Sequence, residues 1–327
     1  MRFAFTDEQL AFRDALRDLL TQECPPARVR DAWTNPDGRT GLWPALVEMG
    51  VVGLLAPASA GGLDGTEVDL VALLEETGRH AIAEPLVETA AVAIPLLRDA
   101  HDPRVADLAH GRIVATVAGR TDEFVVWADS CDLVIASDDS GVRMFARDAV
   151  TLEPRPAIDG ARRLSWLGTD DTTGEAIGDA DAAALVDDRG ALGTAAQLLG
   201  LTERMIDMTV AYVRDRHQFG VPVGSFQAVK HHLANARLAL EFARPLVYRA
   251  AVSIATLDPH RSAHVSAGKV QANEAAALAA RVALQCHGAI GYTTEYDLHL
   301  FMKRAWALAR AWGDTTTHRR RVGRAIL

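Results

Sequence analysis

The chain has 327 residues, 49% hydrophobic and 24% charged, with a formal net charge of −9. That length exceeds what one core usually supports, so two or three lobes are expected. The composition is that of a globular protein, and the negative balance argues against a nucleic-acid surface as its main business. Cys24, Cys131 and Cys286 are too few and too scattered for a disulfide framework or a zinc site, which suits a reducing cytosol. Aromatics are sparse at 6%, so helix packing should dominate. The N-terminus reads as an amphipathic helix instead of a signal peptide, and no apolar run reaches the ~18 residues of a membrane span. The expectation is a cytoplasmic protein.

Phe5-Thr6-Asp7-Glu8 reads as a helix start, with Thr6 as cap, acids in the first turn and Phe5 as a staple. Pro25-Pro26 stops that helix. A second runs from Trp43 to Met49, and a third from Val68 to Thr77, closed by Gly78 as a C-cap. Glu84-Pro85-Leu86 opens a further helix that ends before His110-Gly111.

From Ile113 the pattern changes to short β-branched or aromatic runs at 113–117, 124–127, 133–136 and 142–145, separated by turn signals such as Asp138-Asp139-Ser140-Gly141. A small antiparallel β lobe is expected. Helical periodicity returns at Ala182 and leads straight into Arg216; Phe226-Gln227 begins the next helix, which Pro245 should kink or break. An Ala-rich helix from His264 to Cys286 carries small residues (Ala272, Ala275, Ala276, Ala279, Ala280, Ala283) suited to close helix approach. A last helix from Leu298 to Arg310 precedes Trp312-Gly313-Asp314 and a closing helical turn. The domains are therefore 1–112 helical, 113–181 a reduced β domain, and 182–327 a helical bundle: a mostly α fold with a small β domain.

Two stretches at helix ends carry groups suited to a dinucleotide. In Arg216-His217-Gln218-Phe219-Gly220 the guanidinium offers a fork of donors to a phosphate, and Phe219 a flat face to an adenine. In Gln285-Cys286-His287-Gly288-Ala289-Ile290-Gly291-Tyr292 an amide is followed by glycines that let backbone N–H groups approach closely. Arg216-x-Gln218-Phe219-Gly220, Phe226-Gln227 and Gln285-x-x-Gly288-x-x-Gly291-Tyr292-Thr293-x-Glu295-Tyr296 resemble, in this order, the acyl-CoA dehydrogenase family. The upstream Gly-Gly-Leu-Asp-Gly stretch, Glu75-Glu76-Thr77-Gly78-Arg79 and Glu84-Pro85-Leu86 extend the resemblance over nearly the whole chain.

The resemblance implies FAD lying across a subunit interface. Its ADP end would be held at Arg216, Gln218, Phe219, Gln285, Gly288 and Ala289, where relatives often have Gly in place of Ala289, with Phe226, Gln227 and Gly291 at the same site. It implies α,β-dehydrogenation of an acyl-CoA thioester, which needs a carboxylate base. Relatives place that Glu before a Gly-Thr pair, where this chain has Trp312, or near the start of the helix leading to the Arg motif. There this chain has Gly190, with Asp187 and Asp188 in the approach loop. The Thr-Glu-Pro-x-x-Gly-Ser segment that holds the flavin ring is replaced by Ala115–Asp122.

A chain that keeps the ADP-gripping half and loses the ring half and the base reads as a supporting subunit. Its partner would be a homologous catalytic subunit in a hetero-oligomer, a tetramer, as in bacterial systems that degrade bulky thioesters such as steroid side chains. An alternative is a self-sufficient FAD enzyme with Asp314 or Asp188 as base, against helix capping as their role. A third is a non-enzymatic binding protein, whose support is the basic run His318–Arg321 with Arg324; such runs are usually solvated or paired faces. His231 and His232 sit in one helix, one facing the bundle and one solvent. His110, His287 and His299 lack partners at metal-ligand spacing, and Cys286 beside His287 reads as core packing.

Overall fold

The computed structural model describes residues 4–35, 38–122, 124–169 and 174–327. Helix α1 (Asp7–Glu23) starts as its sequence requires. Thr6 Oγ1 accepts from Gln9 N at 3.2 Å while Gln9 Oε1 accepts from Thr6 N at 2.9 Å, a reciprocal capping box. The Phe5 ring meets Tyr248 edge-on at 4.9 Å. Pro26 is a start as well as a stop, opening α2 (Pro26–Ala32), where its fixed φ suits the first helical position.

After α3 (Trp43–Glu48), α4 (Glu67–Arg79) runs through Gly78, which is not its C-cap. Gly78 instead lies where α4 crosses α7 (Ala180–Asp215). A Cβ there would collide with the Gln197 carbonyl, and one on Gly200 of α7 with the carbonyl of Glu75. Two facing glycines let the backbones touch. The Glu75–Arg79 stretch ties this crossing to the bundle. Glu75 accepts from Arg244 at 2.8 Å and from the Tyr248 hydroxyl at 2.6 Å, and Arg79 pairs with Glu203 at 3.1 Å and Asp207 at 2.6 Å.

The expected single helix from 84 to 110 is three pieces. A π-helical segment, Val87–Ala93, passes into α5 (Ile94–Asp99), and α6 (Val105–Ala109) follows a break where His101 takes a left-handed φ of 56° and Pro103 lacks a donor. At its head, Glu84 is buried yet satisfied by Arg39 (2.7 Å), Thr40 Oγ1 (2.9 Å) and the Leu42 N–H (2.8 Å).

Among the described residues the β lobe holds seven strands in two sheets. One is ordered β1 (Ala115–Ala118), β3 (Leu133–Asp138), β4 (Gly141–Ala146), β7 (Glu175–Gly178); the other β2 (Phe124–Val126), β6 (Leu164–Gly168), β5 (Thr151–Arg155). It is not wholly antiparallel as expected, because β1 pairs with β3 in parallel, Thr116 opposite Val134. The chain between them crosses to the second sheet as β2, so β1 and β3 cannot form a hairpin. Strands β5 to β7 lay outside the expected runs; β5 is largely exposed and lacks an apolar alternation.

In the bundle, α7, α8 (Gln227–Ala255) and α9 (Arg261–His287) pack together, with α10 (Leu298–Leu308) on α7 and α11 (Thr315–Ile326) on α9. Ala272, Ala275, Ala276, Ala279, Ala280 and Ala283 of α9 are all buried, as its sequence requires. Pro245 does not break α8; it sits on the exposed side, where water can serve the carbonyl its missing N–H leaves free. His231 and His232 are both exposed, so neither faces the bundle, and Leu238, Phe242 and Leu246 on the same helix are exposed too. The closing turn is a full twelve-residue helix.

Candidate functional site

One candidate site forms where α7 and α9 end together. Tyr212, one turn before Arg216, stacks on His287 at 4.4 Å and donates to its carbonyl at 3.4 Å. Beyond α7 the chain makes a two-stranded turn, β8 (His217–Gln218) with β9 (Val221–Pro222). Phe219 and Gly220 form the tip with φ of 55° and 81°, the left-handed pair of a tight hairpin. This conformation is unfavourable for Phe, and it leaves the ring 92% exposed, edge-on to Phe226 at 6.3 Å. Arg216 is exposed, and among the described residues nothing pairs with its guanidinium.

Gln218, Phe226, Gln227, Gln285, Gly288 and Ala289 are exposed as well, whereas Gly291 is buried. Gly288 has φ 63° and open space where a side chain would stand. His287 Nδ1 donates to the Ala283 carbonyl at 2.7 Å, which fixes its Nε2 as a bare acceptor, buried and without a partner among the described residues. The sequence reading had assigned His287 nothing.

The second region surrounds Trp312. Lys269 and Asn273, one turn apart on α9, donate to the carbonyls of Leu308 (2.6 Å) and Ala309 (3.2 Å) and so anchor the end of α10. Trp312 follows with φ 58°, its N–H donating to Asp122 Oδ1 at 2.9 Å. Its carbonyl accepts from His318 Nε2 at 2.9 Å, so His318 Nδ1 accepts from Ser266 Oγ at 3.0 Å. The indole, 4% exposed, lies over Gly190 so closely that a Cβ there would penetrate the ring, and a Cβ on Gly119 would come within 2.7 Å of it. Trp312 and Gly190 are thus in contact, and the indole fills the space over Gly190.

The fallback acids have other work. Asp314 caps α11, accepting from Thr317 N at 2.8 Å and Thr317 Oγ1 at 2.9 Å, which holds its carboxyl below the usual range. Asp187 and Asp188 lie within α7, not in an approach loop, and the cap of α7 is Asp179, not Asp188. Asp187 pairs with Arg120 at 2.7 Å and Arg321 at 3.1 Å. Asp188 is fully buried, accepts from Ser262 Oγ at 2.7 Å, and burial pushes its carboxyl up. Arg319 pairs with Glu274 as Arg321 does with Asp187, so much of the basic run is a paired face. Cys286 is half-buried, with its thiol pushed up by burial. Among the described residues no cluster of three His, Cys, Asp or Glu could hold a metal, and no helix is long and apolar enough to cross a membrane.

Between the sheets and Trp312 opens a cleft of about 350 Å³. Much of its wall is apolar (Val117, Phe124, Val126, Ile158, Trp306, Trp312), and its polar groups are Glu88, Thr121, Asp122, Arg162 and Arg310. Burial drives Asp122 up to about 6, raises Glu88 and lowers Arg162. Deeper still, burial lowers Lys269 to about 7 and His318 to about 4. Sequence reasoning missed these groups, although Glu88 in the apolar run Leu86–Leu97 and Lys269 in an Ala-rich helix were visible signals: charges in stretches otherwise destined for the core.

Residues 6–102 match the family model for the acyl-CoA dehydrogenase N-terminal domain, and 186–327 that for the C-terminal domain. The chain is 34% identical over 321 residues to "acyl-CoA dehydrogenase IpdE2" of Mycolicibacterium smegmatis, covering 97% of this chain and 98% of that protein. In fold it is similar to a chain of the ChsE4-ChsE5 complex from Mycobacterium tuberculosis (TM-score 0.89, 24% identity, 100% and 99% covered). It is also similar to the Tcur3481-Tcur3483 steroid ACAD G363A variant (TM-score 0.87, 22% identity, 98% of each chain covered). With helical N- and C-terminal parts around a middle sheet, and a relative of this identity along nearly its whole length, the chain belongs to the acyl-CoA dehydrogenase family.

Proposed function

We propose that this chain is the supporting subunit of a hetero-oligomeric, FAD-dependent acyl-CoA dehydrogenase, holding the ADP part of the cofactor for a homologous catalytic partner. The observation that carries this reading is Trp312: its indole closes over Gly190, so neither family base position can present a carboxylate to a substrate. The helix-end site fits a diphosphate and adenine. Arg216 is exposed and unpaired among the described residues, Phe219 presents a ring face 92% exposed, and Gly288 leaves its backbone open to close approach. FAD would supply a hydride acceptor when bound, and Arg216, Gln218 and Gln285 of this chain would hold its nucleotide end. The exposed apolar face of α8, with Phe242 65% exposed, suits burial against a partner subunit. Two structural likenesses, to the ChsE4-ChsE5 complex and the Tcur3481-Tcur3483 steroid ACAD, favour a two-component assembly acting on bulky thioesters.

The self-sufficient reading is weakened by the ties on its two acids, Asp314 in a cap and Asp188 buried beside Ser262. The deciding experiment is co-expression with neighbouring genes. The chain alone is expected to retain little flavin and no turnover, and the complex to gain both; a stable yellow homo-oligomer with dehydrogenase activity would reject the proposal.

A further inference from the structure

His287, the last residue of α9, stands between the Arg216 hairpin and the Gly288 turn and is 4% exposed. Its ring stacks on Tyr212 of α7 at 4.4 Å, and Tyr296 tilts against it at 4.8 Å. Tyr212 lies one turn before Arg216 and His287 directly precedes Gly288, so this aromatic seam joins the two helix ends. Gly291 makes room for it, since a Cβ there would come within 3.1 Å of the His287 Cβ. The Ala283 carbonyl can only accept, so Nδ1 carries the proton of the neutral ring and Nε2 is bare. Nε2 is buried, and among the described residues nothing is placed to accept from it. The titratable groups that face the ring are the Tyr212 and Tyr296 phenols. Among the described residues no charged side chain acts on it, from α7, from α9 or from the segment leading to α10; burial dominates and disfavours the imidazolium. A second proton would put a charge and an unpaired N–H into the seam. Opening the seam to water relieves that cost, and opening it parts the ends of α7 and α9. A histidine held neutral by the fold supports the closed arrangement fully above the unfolded value of about 6.5 and loses that support as pH falls below it.

We propose that His287 is a pH-sensitive positioning residue: neutral, it locks the ends of α7 and α9 side by side, and protonated at Nε2 it releases them and weakens the hold on a nucleotide. The nucleotide half of this rests on the helix-end site being the seat of the ADP part of FAD; the locking of the two ends does not.

The test uses the assembled complex at pH 7.5 and 5.5. Hydrogen exchange, corrected for the intrinsic effect of pH, reads the peptides that hold residues 212–222 and 283–292. In the wild type both are expected to lose protection together at pH 5.5, by up to about tenfold, and FAD retention to fall by a similar factor. His287→Phe keeps a flat ring between the tyrosines without a titratable nitrogen. It is expected to abolish both pH dependences, whatever its level at pH 7.5. Equal corrected exchange at the two pH values in the wild type, FAD that stays bound while the ends open, or an acid loss that survives His287→Phe each overturn the proposal. If Arg216→Ala leaves flavin content unchanged, the cofactor reading fails instead, and exchange alone decides the role of His287. Should His287→Phe fail to fold, His287→Gln replaces it, and flat exchange in the wild type still overturns the proposal.

Discussion

If Trp312 is the plug described, its indole and Gly190 must be energetically coupled, and a double-mutant cycle measures this. Gly190→Ala places a Cβ inside the indole surface. Overpacking of that kind costs about 1–3 kcal/mol, offset by about 1 kcal/mol from replacing glycine in a helix interior. Trp312→Ala, at a side chain 4% exposed, should cost about 3–5 kcal/mol. In the Trp312→Ala background the clash is gone and only the helical gain remains, so Gly190→Ala should turn neutral or stabilising by up to ~1 kcal/mol. The coupling expected is then about 1–3 kcal/mol, well above the few tenths seen for independent sites. Urea unfolding of the four proteins, with midpoints and slopes compared, gives the number. A Gly190→Ala penalty that is the same with and without the indole would refute the packing of Trp312 onto Gly190.

Arg216→Ala is expected to lower FAD retention of the assembled complex about tenfold or more, with the melting temperature of the protein little changed; unchanged flavin content would remove Arg216 from the site. Asp314→Asn should leave turnover of the complex intact, because asparagine caps as well as aspartate, and Asp314→Ala should cost about 1 kcal/mol of stability. A large loss of kcat in Asp314→Asn would instead restore it as a base. Lys269, lowered to about 7 by burial, gives a pH signature. Between pH 7 and 10 the unfolded chain binds one proton more at this site than the folded one. Stability should therefore rise by about 1.4 kcal/mol per pH unit across that window and fall as pH drops back through it. In Lys269→Met this contribution to the slope should vanish; an unaltered slope in urea unfolding at pH 7.5 and 9.5 would contradict the burial argument. Gly78→Ala should destabilise by about 1–3 kcal/mol, since its methyl meets the Gln197 carbonyl across the α4–α7 crossing.

The helices were legible because their signals are local. The Thr6 box, the small face of α9 and the Arg216 helix end each depend on residues a turn or two apart, and the structure reproduces them. The strands were half legible. The apolar runs marked β1 to β4, but β5 to β7 carry little apolar alternation, and nothing local could show that β1 and β3 run parallel. One glycine was misread. At Gly78 the residue has the composition of a stop, yet its missing side chain serves a distant helix at Gln197, which no local rule can see. The same holds for Asp188, whose neighbours Ser262, Arg261 and Arg321 come from other helices and turn an expected cap into a buried acid.

The sequence by itself determined the family, the mostly helical plan and the absence of a glutamate at Trp312 and Gly190, because each is a matter of residue identity and short-range periodicity. Only the tertiary structure decided that these two positions touch, that Asp314 and Asp188 are spent on capping and burial, and that Glu88 and Arg162 face one cleft. Those are relations between groups far apart along the chain, fixed by how the helices and sheets pack, and packing is where the free energy of a buried charge or a displaced indole is set.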